Sequence, residues 1–245
     1  MDNAEFSQHT SRRFNEELEA LRNHVLRMGG LVHEQLTRAI DAVIESDSAL
    51  GLQVAHDDYK VNRMEVAIDE ECAHILVRRA PAAMDLRLIV AVIKTITDLE
   101  RVGDEAEKIG YLASRLAAME RPRNRYLELR NLGEHVSTML TQSLDAFSSL
   151  DVDAARRVVA ADKNVDHEYE MIARQSITFM MEDPRDIKRV MDVLWAARAL
   201  ERIGDHAKNI CEYVIFLVLG KDIRHLKITN LDEDDAAAAD EQISE

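Results

Sequence analysis

The sequence predicts an all-α protein made of two tandem three-helix bundles related by internal pseudo-symmetry. Three observations carry that expectation. Apolar residues recur at helical spacing along almost all of the 245 residues. Only 8 Gly and 3 Pro interrupt them, so turns are few and helices long. The residues themselves repeat. Leu99-Glu100-Arg101-Val102-Gly103-Asp104 returns 101 positions later as Leu200-Glu201-Arg202-Ile203-Gly204-Asp205, and Asp85-Leu86-Arg87 returns as Asp186-Ile187-Lys188 at the same offset. Upstream, Leu36 and Asp41 match Leu140 and Asp145, and Asp58 and Val61 match Asp162 and Val165, all 104 positions apart. A period near half the chain means that a whole unit has been duplicated.

Six helices follow, over 11–46, 48–79, 84–119, 125–149, 152–181 and 186–219. Gly29-Gly30 is a point where the first helix can bend or break. Asp47 and Asp151 are suited to cap the second and fifth helices, because a carboxylate there accepts from a free backbone N–H. Pro81 and Pro184 stop the helices before them, and Asp85 and Asp186 favour the next start. Pro122, within Arg121-Pro122-Arg123-Asn124, is the widest punctuation and separates the repeats. Gly220 stands where a C-terminal cap belongs. The units are therefore expected at 8–121 and 125–226, followed by an acidic, disordered tail at 230–245 rich in Asp232, Glu233, Asp234 and Asp235.

The formal net charge of −15 repels phosphate backbones and anionic lipid, which argues against nucleic-acid binding or attachment to bare membrane. It suits cations and basic protein surfaces. Cys72 and Cys211 lie far apart without CxxC spacing, as expected in a reducing compartment. Residues 1–12 show no secretory signal, and the longest apolar run, 213–219, is too short to span a bilayer. A cytoplasmic location is expected.

The repeated motif places chemistry-bearing residues on one face. Glu100 and Asp104 are four apart, as are Glu201 and Asp205, so each pair shares a helix face. Like charges at that spacing cost about 0.2–0.5 kcal/mol, and the glycine between them adds about 1 kcal/mol. Two unfavourable choices repeated at equivalent positions require compensation, from a bound cation or from Arg101 and Arg202. The second helix of each unit offers facing sets: Asp58, Asn62 and Glu65 in the first, Asp162 and Asp166 in the second, with Tyr169 in place of the third acid. Antiparallel packing would set these oxygens opposite the Glu/Asp pairs, as ligands for a divalent ion such as Mg²⁺, Mn²⁺, Fe or Zn²⁺. The competing reading is a solvated acidic face, and for Asp58 and Asn62 a salt bridge or cap.

Other candidates carry less. Glu71-x-x-His74 has the spacing of di-iron bundles, but Gln175 and Thr178 stand at the second copy, against the alternative of a metal-storage or oxidase bundle. His206 reads as an orienting or surface histidine. Trp195 and the methionines read as core filler, with Met180 and Met181 at most a docking contact. There is no phosphate loop, nucleophile elbow or Cys/His metal spacing, so an enzyme is not expected.

The doubled LERVGD and LERIGD words resemble the repeat signature of the PhoU family. Arg79-Ala-Pro-Ala-Ala-Met-Asp-Leu-Arg87, Met181-Glu-Asp-Pro184, Asp205-His-Ala-Lys-Asn-Ile210 and the opening Phe14-Asn-Glu-Glu-Leu-Glu agree with it, over about residues 8–226. The resemblance implies a negative regulator of the phosphate response. Such a regulator links the ATPase-driven phosphate ABC transporter to a sensor histidine kinase, modulates uptake and often forms a homodimer. It implies metal ions on Glu100/Asp104 and Glu201/Asp205, with Asp162/Asp166 as the facing pair. The first repeat departs from the pattern at Asn62, and at Glu105 and Lys108 where the second has His206 and Asn209.

Overall fold

The computed structural model describes residues 3–81, 83–120 and 126–221. The described residues form helices α1 (Asn3–Glu45), α2 (Ser48–Asp57), α3 (Tyr59–Arg79) and α4 (Ala83–Ala117), then α5 (Leu127–Ser149), α6 (Val152–Glu182) and α7 (Ile187–Leu219). One 3₁₀ turn, Pro184–Asp186, joins α6 to α7. The expected tail at 230–245 and the unit limits at 121, 125 and 226 lie outside the described residues.

Local chemistry sets the breaks where the sequence places them. The Asp47 carboxylate accepts from Leu50 N–H at 2.9 Å, and Asp151 accepts from Ala154 N–H at 2.9 Å. Gly220 closes α7 in the left-handed region at φ 72°. Two expectations are corrected, and one left open by the sequence is settled. Helix α1 begins eight residues earlier than expected, at Asn3 instead of 11. It also runs through Gly29-Gly30 unbroken. The helix expected over 48–79 is stepped at Asp58, where Val61 N–H bonds three residues back, at 2.9 Å, instead of four.

The first unit packs α1 and α4 against the stepped α2–α3 pair, and the second packs α5 and α7 against α6. The units join through α4 against α7 and α1 against α5, so these two helices of each unit meet their own equivalents. The contacts are reciprocal. A Cβ at Gly29 would stand 2.5 Å from Leu144, and one at Gly133 would stand 2.8 Å from Ile40, with 104 positions separating Gly29 from Gly133 and Ile40 from Leu144. His33 bonds at 2.9 Å to Ser137, its own equivalent. Such isologous contacts are those of a two-fold dimer. The core is continuous across this junction, from Leu21 and Ile96 to Leu140 and Ile203.

Trp195 is not core filler: it is 58% exposed, on the α7 face shared with Lys188, Arg198 and Arg202. Met84, Met171 and Met181 are exposed as well, whereas Met28 and Met139 are buried. Cys72 and Cys211 are buried free thiols, one per unit, and burial pushes each up to about 12.

Candidate functional site

In the first unit, α3 and α4 pack antiparallel and face their acids toward each other. Gly103 makes this approach possible, because a Cβ there would stand 2.9 Å from Asp58 Oδ1. Asp58 is buried. Its Oδ1 accepts from Gln35 Nε2 at 2.9 Å, and its Oδ2 accepts from Asn62 Nδ2 at 3.1 Å. Oxygens of Asp58, Asp104 and Glu107 all lie within 4.8 Å of one another, the one such group among the described residues. Glu100 and Glu65 stand near enough for the Asp104 charge to act on both. Burial, then Asp104, pushes Glu100 above the ordinary carboxylate range, and burial, then Asp58, does the same to Asp104 and Glu107. The Gln35 Oε1 atom is buried without a partner beside this group.

The second unit repeats the backbone and changes the charge. Gly204 again admits the facing helix, with Val165 where the first unit has Val61. Burial raises Glu201, Asp205 and Asp166, and their mutual charges with Asp162 add to it. Into this cluster Lys208 extends its ammonium, donating to Asp162 Oδ2 at 2.6 Å. Burial opposes that charge, but the Asp162 bond and the Asp162 and Asp205 charges outweigh it and hold Lys208 above its usual value. Arg198 donates to Glu201 Oε1 at 2.5 Å. Lys208 occupies the position equivalent to Glu107, so the place of a third acid in one unit is taken by an ammonium in the other.

Of the sequence candidates, the structure brings together Asp58, Asp104 and Glu100 in one unit and Asp162, Asp166, Glu201 and Asp205 in the other. Asn62 is turned to Asp58 as a hydrogen-bond donor. Glu71 pairs with His24 Nδ1 at 2.7 Å, which directs it toward α1. His206 is a buried orienting residue and not a surface one: its Nδ1 meets Asp98 Oδ1 at 2.7 Å across the unit junction. Asn209 and Tyr213 also donate to Asp98, at 3.1 and 2.7 Å, while Arg202 reaches the buried Glu105 at 2.6 Å. The repeat departures at Glu105/His206 and Lys108/Asn209 thus belong to the junction. Sequence reasoning missed Gln35, Asp98, Glu107 and Lys208. The 101-residue offset does set Glu107 against Lys208, and that signal was present.

A profile of the PhoU domain matches twice, at residues 25–113 and 129–214, one match for each cluster. The chain belongs to the PhoU family. It is similar to the phosphate-specific transport system accessory protein PhoU homolog of Pseudomonas aeruginosa, 51% identical over 227 residues, which are 92% of this chain and 93% of the relative. The crystal structure of PhoU from Pseudomonas aeruginosa superimposes with a TM-score of 0.82, over 85% of this chain and 100% of that one, at 51% identity. The phosphate transport system regulatory protein PhoU of Streptococcus pneumoniae gives a TM-score of 0.80 at 27% identity, over 85% and 98%. These PhoU names describe accessory and regulatory proteins and indicate no catalytic activity. The start of α1, before residue 25, lies outside the matched PhoU ranges.

Proposed function

We propose that this chain is a cytoplasmic accessory regulator of a phosphate-specific transport system. It acts as an adaptor between the transporter's ATPase subunit and a sensor histidine kinase, represses the phosphate response when phosphate is plentiful, and modulates uptake. One observation carries the reading: the kinship to PhoU accessory proteins spans both repeats and nearly the full length of the relatives. Among the described residues no helix is long and apolar enough to cross a membrane, which fits attachment through protein partners. Homodimerisation belongs to the same proposal. Deleting the gene should switch on a phosphate-starvation reporter in phosphate-rich medium, and purified chain should retain both partners in a pull-down. Unaltered repression after deletion would overturn the proposal.

The same reading assigns one divalent cation to the Asp58/Asp104/Glu107 group, with Glu100 and Glu65 alongside. Three carboxylates in reach of one point, two of them raised by burial and then by the charge of the third, Asp58, form a hard oxygen-donor set suited to Mg²⁺, Mn²⁺, Fe or Zn²⁺. In the second cluster Lys208 already holds Asp162, so the proposal places its one ion in the first unit.

A further inference from the structure

A buried amide stands behind the first carboxylate cluster and has no counterpart in the second. Gln35 lies on the core face of α1, beside Leu36 and about one turn from Val32 and Ala39, and is 5% exposed. Its Nε2 donates to Asp58 Oδ1 at 2.9 Å and lies 3.5 Å from the carbonyl oxygen of Gly103. Its Oε1 is buried without a partner. A buried amide oxygen in that condition carries the full penalty of leaving water. The fold does not require it. The residue 104 positions later is Met139, 4% exposed, which fills the equivalent place with an unbranched apolar chain. One repeat therefore seals its core with a thioether, and the other keeps a polar group there at a cost.

That cost falls beside Asp58. Two neutral donors hold its carboxylate, Gln35 on Oδ1 and Asn62 on Oδ2, at 2.9 and 3.1 Å. Amide donors fix the direction of a carboxylate and leave its charge in place. Gly103 makes room for the arrangement: a Cβ there would stand 2.9 Å from Asp58 Oδ1 and 3.5 Å from Gln35 Oε1. In the second unit a Cβ at Gly204 would come nearest to Val165 and Val136, both apolar. There Met139 has no hydrogen to donate, and the Lys208 ammonium holds Asp162 at 2.6 Å instead. The exchanges Gln35/Met139 and Glu107/Lys208 thus act together. One unit directs a charged carboxylate with amides, and the other meets the equivalent carboxylate with a resident ammonium.

We propose that Gln35 is the positioning residue of the divalent-cation site: its amide holds Asp58 toward Asp104 and Glu107, so that the three carboxylates converge before an ion arrives. The inference rests on the assignment of a cation to this group. A carboxylate free to rotate must be ordered by the ion itself, and losing the partner that orients it typically costs about 10–100-fold in affinity. Nothing in this role requires Gln35 to touch the ion. The same stretch of α1 carries His33, bonded to Ser137 across the unit junction at 2.9 Å. The residue that aims Asp58 therefore stands on a helix that joins the two halves.

The test uses the full-length chain, freed of metal with chelator and titrated with Mn²⁺ in a calorimeter. Gln35→Met, which installs the residue type of the second unit, should raise the Kd for Mn²⁺ about tenfold or more at an unchanged stoichiometry. Melting in chelator should show the variant at least as stable as the parent, since the orphaned amide oxygen is gone. Gln35→Leu supplies the same two readouts should the methionine pack badly. A residue of merely structural importance behaves the opposite way, with a lower Tm in chelator and an unchanged Kd, and that pattern would overturn the proposal. The converse variant carries the amide across. Met139→Gln together with Lys208→Glu should hold a second Mn²⁺ about tenfold more tightly than Lys208→Glu alone, and the absence of that gain would also overturn it. A parent chain that binds no Mn²⁺ removes the cation assignment and this inference with it. Binding in the parent with equal binding in Gln35→Met removes only the role given to Gln35.

Discussion

Glu107 and Lys208 occupy equivalent positions with opposite charge, and this exchange predicts how each cluster responds to substitution. Removing one of several crowded acids relieves repulsion, so Glu107→Gln should stabilise the metal-free chain by about 0.5 kcal/mol while weakening Mn²⁺ binding about tenfold or more. Melting in chelator and calorimetric titration check the two halves of that statement. The sign with pH follows from the raised values of Glu100, Asp104 and Glu107. The folded state holds these protons more tightly than the unfolded state does. Their destabilisation is therefore full above the raised values and fades as pH falls toward the ordinary carboxylate range of about 4. Melts from neutral pH downward should show a smaller cluster-derived gain in Glu107→Gln than in the parent chain. Lys208→Glu should rebuild the first cluster in the second unit and raise the Mn²⁺ stoichiometry from one to two. A stoichiometry of two in the parent chain would refute the assignment of Lys208 as the resident cation.

At the scale of elements, α2 crosses α4 so closely that the two backbones touch. A Cβ at Gly51 would stand 2.5 Å from the carbonyl oxygen of Gly110, which cannot move aside without shifting a helix. Gly51→Ala should therefore destabilise by about 1–3 kcal/mol despite its better helix propensity. Gly30 is the control: a Cβ there meets nothing within 4 Å, and Gly30→Ala should gain up to about 1 kcal/mol. Urea unfolding of the two variants tests both signs. Elements of this kind were largely legible beforehand. Capping aspartates, prolines and helical periodicity act locally, so Asp47, Asp151, Pro184 and Gly220 mark real boundaries. The step at Asp58 was not legible, because it belongs to a carboxylate drawn inward by Gln35 from another helix. The Glu/Asp pairs were readable because residues four apart share a face in any helix. Glu107 and Lys208 join them only through a charge balance that needs both facing helices in place. Trp195 misled because a large apolar residue at helical spacing looks the same from sequence on either side of the stripe.

For the whole molecule, the polar junction around Asp98 determines how strongly the halves are coupled. This buried carboxylate receives His206, Asn209 and Tyr213, and Asp98→Ala would strand the buried His206 and take one bond from each of the other two. A loss of about 2–4 kcal/mol is expected, and the parent should unfold in one calorimetric transition because its core crosses the junction. Two separate transitions in the parent would contradict that. The reciprocal seating of Gly29 on Leu144 and Gly133 on Ile40 has a further consequence. An assembly whose like halves are separate molecules falls apart on dilution, since its folded population depends on how often two chains meet. Here the two halves are covalently joined and held at a high effective concentration, so the pairing within one chain persists at a few copies per cell as well as at millimolar levels.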